Sequence, residues 1–585
     1  MRSDRAKLLA LLLLYILAAA FSYKMFSARD PLFSIPTVDE STNLWVAHQL
    51  LRGSLPTQTF WQEPVTFFYY ALLLALGISA PAAIKFFHAF VLNPAAILLL
   101  FWLARSIRAD RALLAAAIYA FSPLALFMSL TLMKTPPAIL AVLAMLCAYR
   151  SYYARPQSTG RALLFAAAWL LSWGIVQHVL LFLPPLFIAL ARRCEGRNPA
   201  GRRNLLVTAI ALLSLMVISI SLASVVTRSP LLTLTTNGKM NFVLANSRNV
   251  GKTMSIWPGP EWQYFSNLLE FRAEPSAESG ISTRLPATPG AWLDLAAKKA
   301  FWEFTPHAYF RQFSWEKAGS ILPPLRVHSF LTLLLLLLVF RATLSWRNNG
   351  VLLRSLLGCW WLYHAINMVF IPGIARYHAV ILPLTILLAR EGLRGFSWQP
   401  RQLVLLPCLC LWFSHPPNGF QHEYSEYMEL SVAVASGVPV ADVAIPQTTI
   451  HAADHRQLRA IWLLDQQRFA EAESLLKETP AWDFHGLEYC RLLAAAQARQ
   501  HLFFDALETA VRCVNWPEDQ YPIFMKPAIE RMGTMLDAYR KQSRLTPAKL
   551  HAIAAFTDSL RGRHPDLDSL KRAVLALQAH GVFLP

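Results

Sequence analysis

Charge is scarce in this 585-residue chain. Asp, Glu, Lys and Arg make up 15% of it, against 55% hydrophobic residues. Soluble domains carry about 25% charged residues, so the shortfall argues for a protein that spends much of its length in lipid. Acids are the scarcer sign, 35 Asp and Glu against 54 Lys and Arg, for a formal net charge of +19. In a soluble chain such an excess would point to nucleic acid. Here most of the basic residues fall in short loops between apolar runs, where they set the orientation of membrane spans, and no nucleic-acid partner is expected. The seven cysteines form no CxxC pattern, which removes the usual zinc and haem signatures, and no metal-ligand set stands out. Val250-Gly251-Lys252-Thr253 ends like a phosphate-binding loop, but Asn246 stands where the first glycine is needed, so the motif fails. The first apolar run has no obvious small-residue cleavage site, which speaks against a signal peptide.

What is present is a series of apolar runs. The first, 8–26, follows Arg2, Arg5 and Lys7 and approaches the roughly 20 residues that a bilayer core requires. The positive flank places the N-terminus in the cytoplasm. Further runs follow at 85–104, 113–132, 137–149, 163–178, 179–191, 205–226, 327–340, 351–371, 378–390 and 402–414. That makes about eleven spans with the C-terminus outside, an all-α polytopic fold. Each short basic loop, such as the one carrying Arg105, Arg108 and Arg111, then falls on the cytoplasmic side. Pro184-Pro185 is expected to break one span. Two segments project outward: a first loop, 27–64, and a polar loop of about one hundred residues, 227–326.

The first outer loop carries two adjacent acids, Asp39 and Glu40. Thr37 and Glu40 have capping-box spacing, so a helix is expected to run from there to about Arg52 and to stop at Gly53. It is too short and polar to span and should lie along the interface. A second juxtamembrane helix is expected over 65–77. An acid at the mouth of a membrane domain can stay ionised because it is not surrounded by hydrocarbon.

From about 450 the long apolar runs give way to amphipathic helices, after a linker at 416–449. Phe469 and Phe503 are 34 positions apart, as are Ala472 and Ala506, and the two segments end alike in Pro480 and Pro517. That period is the tetratricopeptide one, in degenerate form, so 450–585 reads as a helical-repeat domain. Cys490 and Cys513 sit about equally far from the turn between two helices. They are either a disulfide on the outer side or two small buried thiols.

Four motifs carry a resemblance. They are Pro36-Thr37-Val38-Asp39-Glu40; Phe60-Trp61-Gln62-Glu63-Pro64; the stretch GKMNFVLANSRNVGKT at 238–253, with Asn241 and Asn246; and Ala375-Arg376-Tyr377-His378, followed by Pro383. In order and side of the membrane they resemble the polytopic glycosyltransferases of the GT-C superfamily, which includes protein O-mannosyltransferases and the aminoarabinose transferase of lipid A. The resemblance covers about residues 8–415. It implies a membrane enzyme with a periplasmic active site, set in a bacterial inner membrane. Such an enzyme moves a sugar from a polyprenyl-phosphate donor to a hydroxyl on a protein, lipid or glycan acceptor. No cofactor is implied with certainty; a divalent metal fits the chemistry, but no residue pattern supplies it.

The resemblance assigns the general base to Asp39, with Glu40 positioning it. Arg376 would bind the leaving phosphate, since a guanidinium matches phosphate oxygens bidentately, and Tyr377 would donate nearby. Two departures stand out. Lys134 occupies a place where many relatives carry an acid, which makes it a candidate phosphate contact, and Glu63 stands where relatives often have lysine or proline. His364 and Asn367 share a helix face near an outer end, as do Gln177 and His178 elsewhere; such groups bind substrate or hydrogen-bond between helices. Asp39 and Glu40 also have a plainer role, since acids in a helix's first turn favour its dipole. Two rival functions are a transporter or flippase and a scaffold presenting the helical repeat to a protein partner.

Overall fold

The computed structural model describes residues 2–36, 38–55, 63–108, 111–194, 199–227, 285–304, 315–346, 349–370, 375–393 and 452–477, with scattered positions elsewhere (235, 241–242, 245–246, 492–493, 495–497, 499–500, 502, 509, 546–548). All regular structure among them is helical. The chain divides into two compact units, Met1–Val432 and Ala433–Pro585. The division falls inside the expected linker.

In the first unit, α1 (Arg2–Arg29) leads to α2 (Val38–Leu51) and α3 (Pro64–Ala75). As the sequence suggests, α2 stops at Gly53, which takes the left-handed conformation (φ 76°). The N–H groups of Gly53 and Ser54 bond back to Leu50 and Gln49 at 3.0 Å each, a glycine-terminated helix end. Helix α3 is short and apolar and ends in the same way at Gly77 (φ 81°).

Next come α4 (Pro81–Phe87), a π-turn (His88–Leu92) and α5 (Asn93–Ile107), which run on as one long helix. The π-turn frees carbonyls. The Tyr15 hydroxyl donates to Ala89 O at 2.9 Å, Asn93 Nδ2 donates to Tyr15 at 2.8 Å, and Tyr119 donates to Asn93 Oδ1 at 2.7 Å. Buried polar groups in an apolar interior need such partners, and these three tie α1, α5 and α6 together.

Helices α6 (Ala112–Ala120) and α7 (Pro123–Ser129) replace the continuous span expected over 113–132; the two are bent by 56°. Pro123 has no N–H to continue the ladder, and Ser122 before it is extended (φ −63°, ψ 123°), as the residue preceding proline prefers. After α8 (Thr135–Ala154) comes α9 (Thr159–Trp173), which stops short of Gln177 and His178. Gly174 ends it because α3 lies against it. A Cβ there would sit 2.2 Å from Val65 Cγ2, and Val65 N–H donates to Gly174 O at 3.1 Å. A 3₁₀ turn (Gln177–Phe182) then leads to α10 (Leu183–Cys194). Pro184 and Pro185 therefore open a helix, where their missing N–H groups cost nothing, rather than breaking one.

Helix α11 (Pro199–Thr227) leaves Leu206, Leu213, Ile218, Leu222 and Val225 exposed. An apolar face of that extent drives association in water and is the ordinary state in a bilayer. The described remainder of the unit is α12 (Pro289–Glu303), α13 (Trp315–Ile321), a 3₁₀ turn (Pro323–Val327), α14 (His328–Leu344), α15 (Val351–Phe370) and α16 (Ala375–Gly392). Helices α14 and α16 touch at the backbone: a Cβ on Gly392 would lie 2.0 Å from Leu338 O. Small residues at such crossings permit the close packing that holds membrane helices together.

Among the described residues, five segments are long and apolar enough to cross a membrane: Asp4–Arg29, Pro81–Ile107, Thr135–Ala154, Pro199–Thr227 and Pro323–Leu344; the run expected at 402–414 lies outside the described residues. The bent α6–α7 pair makes six if it is one span. The unit has two distinct ends. At one, Arg390 donates to Ala104 O at 2.9 Å and pairs with Glu391 at 2.9 Å, and Arg108 pairs with Glu391 at 3.3 Å. At the other, reached by α16 after a rise of roughly 21 Å at 1.5 Å per residue, sit Arg376, the first turns of α2 and α8, and the last turn of α15.

In the second unit, α17 (Ala452–Asp465) and α18 (Phe469–Lys477) form a helical hairpin, with Gln467 in the left-handed conformation (φ 60°) at its turn. Ala472 is fully buried against Leu463 and Ala496. Phe503, Ala506, Pro480, Pro517, Cys490 and Cys513, on which the repeat and disulfide readings turn, lie outside the described residues.

Candidate functional site

Helix α16 opens with Arg376 in its first turn, a cation at the positive end of a helix dipole. That unfavourable placement is offset by Asp39, from the first turn of α2. Arg376 Nη1 donates to Asp39 Oδ2 at 2.5 Å across 337 positions of sequence. The pair is shielded but not sealed, with 14% and 23% of the two side chains exposed. The guanidinium lies 5.1 Å from the centre of the Tyr377 ring and donates to the Tyr377 hydroxyl at 3.5 Å. Arg376 Nε is buried with no hydrogen-bond partner, so the group retains donor capacity beyond what Asp39 uses. His178 packs 5.8 Å from the Tyr377 ring.

Glu40 faces elsewhere. It is fully buried, and its carboxylate accepts from Leu132 N–H at 2.7 Å. The Tyr70 hydroxyl donates to Leu132 O, and His88 Nδ1 lies 2.8 Å from Thr131 O, with Nε2 2.8 Å from the Tyr69 hydroxyl. Together these fix the turn from Leu130 to Lys134. Lys134 emerges from that turn and pairs with Glu63 at the start of α3. Glu40 thus holds the Lys134 turn in place. Thr37, its expected capping-box partner, lies outside the described residues.

A second group adjoins the first. Glu303, the last residue of α12, accepts from His364 Nδ1 at 2.7 Å and from Asn367 Nδ2 at 3.3 Å, both on α15. His378 Nε2 of α16 lies 3.2 Å from the same carboxylate oxygen. Burial alone would push the Glu303 carboxyl up, but His378 and His364 outweigh it and hold the group below the ordinary carboxylate range. Trp360 and Phe304 pack on His364 at 4.3 and 5.2 Å between ring centres. One ligand-capable atom each from Glu303, His364 and His378 lies within 4.8 Å of the other two. These residues line a small pocket, open in part to solvent, together with Leu124, His328, Thr332 and Thr385.

Asn246 is buried, donates to Val369 O at 2.9 Å and accepts from Lys299 Nζ at 2.6 Å. Burial pushes the Lys299 ammonium down to about 8. Asn241 is half-buried.

The residues singled out from sequence therefore fall into separate roles. Asp39, Arg376 and Tyr377 come together directly, Lys134 is engaged with Glu63, and His364 turns to Glu303. Glu40 and Asn246 serve packing turns. The sequence reading missed Glu303 altogether and gave His378 no role, and it found no metal-ligand set where the fold assembles a possible one. The sequence signal for Glu303 is slight, since it closes a helix that also carries Asp294, Lys298 and Lys299. A scan against protein-family models finds no match for this chain, and a search of curated proteins finds none either.

Proposed function

We propose that this chain is a membrane glycosyltransferase that moves a sugar from a polyprenyl-phosphate donor to an acceptor hydroxyl, with Asp39 as general base and Arg376 as the phosphate contact. The observation that carries the reading is the Asp39–Arg376 pair, two charges brought from opposite ends of the membrane unit's sequence to one partly open site. In this reading the unit has eleven spans and places the site on the periplasmic face of an inner membrane, as the alternation of basic loops suggests.

The chemistry follows from the pairing. With no donor present, Arg376 holds the Asp39 carboxylate in an ion pair and keeps it from the acceptor. An arriving lipid phosphate competes for the guanidinium, and its oxygens match the fork better than a single carboxylate oxygen does. Asp39 is then released to accept the proton of the acceptor hydroxyl. The acceptor oxygen attacks the anomeric carbon, the bond from that carbon to the phosphate oxygen breaks, and polyprenyl phosphate leaves with its charge held by Arg376. One in-line displacement inverts the configuration. Loss of a positioned base lowers rates by about 10²–10⁴-fold.

Transfer is tested with the full chain in lipid nanodiscs, using labelled polyprenyl-phosphate sugars and a panel of hydroxyl acceptors. Asp39→Asn is expected to lose transfer by that factor while keeping its expression level and melting temperature. Unchanged transfer in a folded Asp39→Asn protein contradicts the assignment. The tetratricopeptide-like domain, 450–585, is proposed to hold the acceptor or a protein partner. Its deletion should then remove transfer to one acceptor and spare a simple one.

A further inference from the structure

We propose that Glu303, His364 and His378 form a binding site for a divalent transition-metal ion of the zinc class. The site is independent of the glycosyl-transfer reading. It rests on donor chemistry and on placement. Two imidazoles and one carboxylate are the donor set that suits zinc, and three protein ligands with one open position mark sites where the ion also meets water or substrate. The three ligand-capable atoms lie within 4.8 Å of one another, with Glu303 Oε1 at 2.7 and 3.2 Å from the two histidine nitrogens. Ligand atoms around an ion at about 2.0–2.2 Å stand roughly 3.3 Å apart, so side-chain shifts of no more than about 1.5 Å bring the three atoms to coordinating distance.

Placement adds a second, independent observation. His364 is 3% exposed, and His378 Nε2, the second nitrogen facing Glu303, is buried with no hydrogen-bond partner; both rings line the pocket. A buried polar atom without a partner is costly in an apolar interior, and a pocket beside it leaves room for an ion and its water. The supporting shell is also present. Trp360 and Phe304 fix the His364 ring, and Asn367 donates to Glu303, the kind of outer contact that orients metal ligands. The ligands come from three helices, α12, α15 and α16, so an ion there would also join the end of α12 to the two helices it meets.

The test uses the full chain in detergent, stripped with chelator, reloaded with Zn²⁺ and desalted, with metal counted by mass spectrometry. One retained zinc per chain is expected, along with the visible absorption of a low-symmetry, four- or five-coordinate centre when Co²⁺ replaces it. Glu303→Gln and His378→Gln, each checked for folding by its melting profile, should lose at least nine-tenths of the retained metal. Less than a fifth of an equivalent in the wild type overturns the site, as does undiminished retention in both folded variants. If the variants do not fold, the X-ray absorption spectrum of zinc-loaded wild type decides: two imidazole ligands are expected, and a sulfur shell or an imidazole-free oxygen shell overturns the site.

Discussion

Lys134 and Glu63 pair with each other across 71 positions, each largely buried, with 14% and 13% of the side chains exposed. These are the two places where the sequence departs from the pattern it resembles, a base in place of an acid and an acid where a lysine is common. The fold shows that the two departures are one. An isolated reversal at either position would leave a charge unmatched, and the two together restore a neutral pair. Removing one partner of a shielded pair costs about 3–5 kcal/mol when burial is complete, and less here because both groups retain some water. Lys134→Glu or Glu63→Lys alone should therefore lower the melting temperature in detergent, whereas the double exchange should recover at least half the loss. A double variant no better than the worse single one would show that the pair has no energetic coupling.

Arg376→Lys keeps the charge and loses the fork. A charge-assisted hydrogen bond is worth about 1.5–3 kcal/mol, so binding of a polyprenyl-phosphate donor should weaken by roughly 10–100-fold. Asp39→Asn should leave donor binding unchanged or tighten it, because the competing carboxylate is gone. Equilibrium binding of a fluorescent short-chain polyprenyl phosphate measures both.

Gly392→Ala places a methyl 2.0 Å from the Leu338 carbonyl oxygen, a backbone atom with no rotamer to escape into. Helices α14 and α16 must separate, and overpacking of this kind costs about 1–3 kcal/mol. The melting temperature should fall. Gly160→Ala, where nothing lies within 4 Å of the new atom, should leave it within error.

Lys299 gives a pH dependence with a definite sign. Burial lowers its ammonium from 10.5 to about 8 in the folded protein. Between those values the unfolded chain binds more protons than the folded one, so this group's contribution to stability rises with pH across that window. Below about pH 8 the cost of burying the charge is fully present. Lys299→Met removes the term, so the stability of wild type relative to the variant should improve on going from pH 7.5 to pH 10, by on the order of 2 kcal/mol. A constant difference between the two melting curves would refute the burial argument.

What could be read in advance was what stands out against hydrocarbon. Asp39 and Arg376 stand out through the motifs that resemble the GT-C pattern, Arg376 also because an outer arginine runs against the usual charge bias, and Gly53 because a glycine after an amphipathic stretch ends a helix. What could not be read was pairing at a distance. Glu303 looks like an ordinary polar-loop acid until α15 and α16 bring His364 and His378 to it. Lys134 and Glu63 each looked like an anomaly until the turn fixed by Glu40 placed them together. Proline signals were legible in kind but not in position: Pro123 bends a run that composition presents as continuous, and Pro184-Pro185 begin a helix that periodicity would have them interrupt. Gly174 owes its role to Val65, more than one hundred positions away, and nothing local announces that approach.

The most direct measurement is a cryo-electron microscopy structure of the full chain in nanodiscs with a polyprenyl phosphate bound. The phosphate should contact Arg376, and the Asp39 carboxylate should have moved out of hydrogen-bond distance of the guanidinium to face the acceptor side. A phosphate seated elsewhere, or a 2.5 Å Asp39–Arg376 contact unchanged beside a bound lipid, would contradict it.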